Sequence, residues 1–178
     1  MMGLNPQIIG TNGMPHGFAG CYARQPDMIV NTRPAGGTAP IVFGTPLKYG
    51  ENGDVVPMAG EGTTAANFCG VAAAEIKSAL TYLDQGNGQF APGEPVGVFM
   101  RGSINVKCYK GAPKLGGDVY VRIISTPAYA ETTVVGGFEA EADSTTGGNV
   151  VKLTGCQWGG PADANGVAEL VILTRPMA

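Results

Sequence analysis

His16 is the chain's one histidine and the first residue to weigh for chemistry. Catalysis by a nucleophile needs a base and an orienting group that converge on it. His16 stands between Pro15 and Gly17 in a run of turn formers, so it is expected as a solvent-exposed or interface residue of a mobile segment. Paired carboxylates could support glycoside hydrolysis. Glu139 and Glu141 are the nearest such pair, but with Asp143 they read as an exposed acidic loop. The tract Asp143–Asn149 offers oxygen ligands without the spacing of a calcium loop. Cys21, Cys69, Cys108 and Cys156 lie far apart with no CxxC pair, which argues against a structural zinc site and for free thiols packed as small hydrophobes. GxSxG, HExxH and Walker patterns are absent. The residues therefore point to no catalytic, cofactor-binding or metal site, and a non-enzymatic role is expected. Trp158, the sole tryptophan, is expected at the centre of a small core, its indole N–H satisfied by a turn carbonyl.

The elements around these residues read as strands. With 29 Gly and 13 Pro among 178 residues, long helices are disfavoured, while the 44% hydrophobic residues fall in short runs between turn formers. Ile41–Phe43, Leu47–Tyr49, Val55–Met58 and Asn67–Ala72 are expected strands, with Asn52-Gly53 turning a hairpin. Residues 73–83 fit a helix or an extended edge segment, the latter favoured. Val96, Val98 and Met100 share one face of a strand, and Ile104, Val106 and Cys108 share another across Arg101-Gly102-Ser103. That junction predicts either a hairpin or a sharply bent strand. Val119, Val121 and Ile123 alternate again, residues 125–149 form a weakly patterned insert, and Val167–Leu173 is apolar enough to be buried on both faces.

Residues 1–37 are expected to form an extended N-terminal arm, with Met28-Ile29-Val30 as an edge strand, and residues 38–178 a β-rich domain. The predicted fold is all-β, a compact antiparallel barrel or sandwich with little helix. Only 14% of residues are charged and the net charge is −3. Interface cores are depleted of charge, so this sparseness points to large permanent contacts. No basic cluster offers a nucleic-acid footprint. No run of about 18 apolar residues or signal-peptide pattern occurs, so the protein is expected to stay in the cytoplasm where it is made.

The order of motifs resembles the structural cement proteins of tailed phages. Pro40-Ile41-Val42-Phe43-Gly44-Thr45-Pro46-Leu47 is similar to the family's opening strand, and Phe68-Cys69-Gly70-Val71-Ala72 to its next. Tyr82, then Phe90 to Val98, Arg101-Gly102-Ser103-Ile104-Asn105-Val106 and Gly117-Asp118-Val119-Tyr120-Val121-Arg122 follow in order. Trp158 and Gly166-Val167-Ala168-Glu169-Leu170 complete a resemblance over about residues 21–174. It implies a capsid decoration protein on the outside of the assembled head. It would bridge neighbouring major capsid subunits and hold the shell against internal DNA pressure, as a homo-oligomer with a trimer favoured over a dimer. Strand addition by the arm would then anchor it through Met14, Phe18, Tyr22, Met28 and Ile29. The rival expectation is a carbohydrate-binding β module of a virion tail or fibre, which would need exposed aromatics on one face.

Overall fold

The computed structural model describes residues 15–75, 87–127, 130–143 and 148–174. Among the described residues twelve strands follow one another: β1 (Tyr22–Pro34), β2 (Ile41–Val42), β3 (Pro46–Tyr49), β4 (Val55–Pro57), β5 (Phe68–Ala72), β6 (Gln89–Phe90), β7 (Pro95–Lys110), β8 (Tyr120–Arg122), β9 (Phe138–Glu139), β10 (Val150–Lys152), β11 (Cys156–Trp158) and β12 (Val167–Ile172). A 3₁₀ turn forms at Ala65–Asn67. The predicted all-β class therefore holds. Of the two expected forms the fold is sandwich-like and not a closed barrel.

β7 is the spine. Its first half pairs antiparallel with β1, from Pro34↔Pro95 to Ile29↔Arg101, and with β5 at Val71↔Phe99. Its second half pairs with β12, from Ile172↔Gly102 to Val167↔Lys107, and its end runs parallel to β9 at Cys108↔Phe138. Beyond β9 the sheet continues through β8 to β10, and beyond β5 through β3 to β4; β2 and β6 form a separate pair. Of the two outcomes predicted at Arg101-Gly102-Ser103, the bent strand is the one formed, and Gly102 takes φ +106.

That bend divides the interior. Val96, Val98 and Met100 enter one core with Ile41, Leu47, Val55 and Phe90. Ile104 and Val106 have the same parity along the strand, yet they join Phe99, Val121, Phe138, Trp158 and Leu170 in the other. Side-chain alternation has a period of two, so the faces exchange at Gly102. The β3–β4 hairpin closes through Gly50 N–H to the Asp54 carbonyl at 2.9 Å. Gly53 alone in that turn has positive φ, +76; Asn52 does not share it, so the loop is the three-residue kind with a left-handed glycine.

Met28-Ile29-Val30 lies within β1, as the strand reading expects, but the strand is longer at both ends. Upstream of it the backbone is also tied down: Gly20 N–H donates to the Asn105 carbonyl at 2.7 Å, and Ala74 N–H to the Gly20 carbonyl at 2.8 Å. Of the ambiguous segment 73–83, Ala73 is fully buried, and residues 76–83 lie outside the described residues.

Candidate interaction surface

The groups first weighed for chemistry are occupied with structure. His16 is not on a loose segment. Its backbone N–H donates to Asp163 Oδ2 at 2.9 Å, its ring Nε2 lies 3.2 Å from the Pro161 carbonyl, and Asn105 Nδ2 donates to its carbonyl. Asp163 also accepts from the backbone N–H groups of Asn165 at 2.8 Å and Val167 at 3.0 Å, which shapes the turn into β12. Burial alone would raise the Asp163 carboxyl; the N–H groups of Val167, His16 and Asn165 outweigh it and hold the pKa below its ordinary value. A depressed carboxylate contributes stability above its unfolded pKa and loses it as pH falls through the folded value. Asp163→Ala is therefore expected to lower the thermal midpoint at neutral pH by about 2–4 °C. The gap to wild type should close in melts run below about pH 4.

The acidic insert departs from its expected exposure. Glu139 is fully buried and Asp143 nearly so; of the three acids only Glu141 is exposed, paired with Lys110 at 3.2 Å. The cause is Arg122, itself 0% exposed on β8. Its Nε and Nη2 donate to the two Glu139 oxygens at 2.5 and 3.0 Å, and its Nη1 donates to Asp143 Oδ2 at 3.1 Å and Thr126 Oγ1 at 3.0 Å. Asn149 Nδ2 reaches Thr126 Oγ1 at 2.7 Å. A guanidinium buried on a strand must take its counter-ions with it. Burial would lower the Arg122 pKa, but the hydrogen bonds and charges of Glu139 and Asp143 raise it above the ordinary value. Glu139 is thus a structural counter-ion, unsuited to be half of a glycosidase pair.

The cysteines are free thiols. Burial pushes Cys69 and Cys156 up to about 12 and Cys108 to about 11, so at neutral pH they are protonated and poor nucleophiles. Trp158 is fully buried in the core as expected, edge-on to Phe138 with centroids 6.5 Å apart. Its indole N–H, however, has no acceptor among the described residues. The turn carbonyl is taken by its backbone instead: Trp158 N–H donates to the Gly117 carbonyl at 3.0 Å.

What the surface offers is apolar. Phe18 is 61% exposed, Val42 55%, Val134 47% and Val135 41%. Val42, Val134 and Val135 line one groove of about 210 Å³, with Phe43, Lys107 and Tyr109 also in its walls; Ala19, next in chain to Phe18, borders it. One wall is the segment after β2 and the other is the acidic insert. Backbone bonds fix both: Gly44 N–H to the Ala72 carbonyl at 2.8 Å on one side, Gly136 N–H to the Arg122 carbonyl at 2.7 Å on the other.

Of the five anchors proposed from sequence, Phe18 is exposed, one residue along the chain from Ala19 in the groove lining. Tyr22 lies 5.6 Å, centroid to centroid, from Phe99, and both Tyr22 and Met28 pack on the chain's own main core. Ile29 is half-buried opposite Arg101 in the β1–β7 ladder, and Met14 lies outside the described residues. The valines of the groove carried no signal beyond their apolar character, since the walls are some 90 residues apart in sequence.

The fold has a known counterpart. No curated protein sequence matches the chain. A solved structure of the capsid of Myoviridae Phage XM1 contains a chain of the same fold, with a TM-score of 0.64 and 16% identity, covering 98% of this chain and 99% of that one. The family described as "Structural cement protein (E217 gp24/Pam3 gp6)" matches residues 6–173. With that match running through nearly every element described above, the chain belongs to the phage structural cement protein family.

Proposed function

We propose that the protein is an adhesive of the phage head. It binds the outer surface of the assembled capsid, bridges neighbouring major capsid subunits and holds the shell against the pressure of packaged DNA, without catalysing a reaction. The family match over residues 6–173 carries this reading. The 14% charge content and the exposed apolar side chains support it, because they suit a surface meant to be covered. A ligand that binds only the assembled shell stabilises it by mass action, and contacts repeated over a lattice make a modest gain per copy sufficient. The protein would be made in the host cytoplasm and act as a homo-oligomer, a trimer by preference, on the capsid exterior, touching the major capsid protein and no DNA.

The sugar-binding alternative is disfavoured: Trp158 is buried, and Phe18 is the one exposed aromatic among the described residues. Mixing the protein with cement-free expanded heads and with unexpanded shells of the parent phage tests the proposal. Co-sedimentation with expanded heads only, and a higher temperature of DNA release, is the expected result; equal indifference to both would refute it. The arm is tested in the same assay. Since β1 already pairs with β7, the deletion must stop short of it. Removing residues 2–13 is expected to weaken head binding while leaving the thermal midpoint unchanged.

A further inference from the structure

We infer that the groove between Val42–Phe43 and Val134–Val135 is the seat for an extended, acidic segment of the major capsid protein. One apolar side chain of that segment enters the groove, and a neighbouring carboxylate meets Lys107. The inference rests on the capsid-binding reading above and adds the place and the chemistry of contact.

Three observations carry it. The first is concentration of apolar surface. Three of the exposed large hydrophobic side chains line this groove, and a fourth, Phe18, is next in chain to its lining residue Ala19. Soluble proteins rarely leave such a patch uncovered without a partner for it. The second is size. At about 210 Å³ the groove is smaller than the pockets of roughly 300–1,000 Å³ that hold small molecules, so it suits one or two inserted side chains. Its walls are held by backbone hydrogen bonds, so little ordering is left to be done on binding.

The third is charge. Lys107 is the one charged residue in the lining, in a chain of net charge −3. Its ammonium lies 5.3 Å from the centre of the Tyr109 ring, and it has no carboxylate partner among the described residues. A cation so held, at the mouth of an apolar slot, selects an acid beside an apolar residue. A second copy of this chain fits less well. Its other large exposed apolar side chains among the described residues are Leu115, which follows Lys114, and Leu173, which precedes Thr174; neither has an adjacent carboxylate.

The test uses the full chain, with Lys107→Glu, Lys107→Gln and Val135→Asp in the groove and Leu115→Asp as the distant control. Each is assayed for co-sedimentation with cement-free expanded heads at low and high salt, and for mass in solution by light scattering. All three side chains face solvent, and thermal midpoints near wild type verify folding. The groove variants are expected to weaken head binding about tenfold or more, with Lys107→Glu the worst, while Leu115→Asp binds as wild type. Wild-type binding should weaken with salt and Lys107→Gln binding should not. Undiminished binding by the groove variants, beside normal wild-type binding, overturns the groove assignment and leaves the capsid role standing. A changed solution mass with unchanged head binding also overturns it, by making a second copy the occupant. Failure of wild type itself to bind heads removes the capsid reading instead.

Discussion

Arg122→Met is expected to destabilise the fold by about 3–5 kcal/mol, read as a lower urea midpoint at unchanged slope. Arg122, Glu139 and Asp143 are all buried, and the guanidinium is the cation that both carboxylates share. Removing it strands two acids away from water, and the cost comes from their desolvation more than from the loss of an attraction. Two further results follow from that cause. Replacing the whole cluster, Arg122→Met with Glu139→Met and Asp143→Leu, should recover most of the loss, because no unpaired charge remains. In the single variant, lowering the pH from about 7 towards about 5 should restore stability, because protonation neutralises the stranded acids and the folded state then binds more protons than the unfolded one. A single variant as unstable as the triple, at every pH, would show that packing and not charge explains the cost. The backbone of Arg122 also holds Gly136 and Gly137. Hydrogen exchange in the single variant should therefore quicken first over residues 134–143, which include one wall of the groove.

The ion cluster marks where the sequence is hard to read. A strand such as Val119–Ile123 announces itself by alternation, and so do the halves of β7 and the apolar run of β12. Each needs only local pattern, and each is where its pattern says. The acidic insert is different. Glu139 and Asp143 look solvated because burial of an acid depends on a partner, and the partner sits 17 and 21 residues away on another strand. One signal was available: an arginine within Val119-Tyr120-Val121-Arg122-Ile123, a stretch apolar enough for burial, requires acids from elsewhere in the chain. The two-residue strands β2, β6 and β9 are too short to show a period at all. β1 is legible only at Met28–Val30, since its other residues are mostly half-buried or exposed and carry no apolar stripe. The groove was out of reach for a related reason. Val42 is an ordinary strand residue and Val134-Val135 an ordinary loop pair until the sheet brings them together.

Gly102→Ala is expected to be the most costly glycine-to-alanine change among the described residues, on the order of 4 kcal/mol. Two terms add. At φ +106 any side chain is strained, which costs about 1–3 kcal/mol. A Cβ there would also lie 2.1 Å from the Asp27 carbonyl oxygen and 3.2 Å from the Phe99 ring, and the first of these is backbone and cannot swing aside. Gly97→Ala, earlier in the same strand, is the matched control. Its Cβ would meet the tip of the Glu75 side chain, which can turn away, and its φ is not in the left-handed region, so its cost should be about 1 kcal/mol or less. Equal costs would mean that Gly102 is only a crowded position. Unequal costs in the expected direction would identify it as the hinge of the architecture. At this residue β7 exchanges one core for the other, and β1 passes through a bulge between Arg24 and Ile29 to follow it. A residue unable to take positive φ would keep Ile104 and Val106 on the face that Val96, Val98 and Met100 occupy. The half of the sandwich built on β12 and β9 would then lose the strand it is paired to.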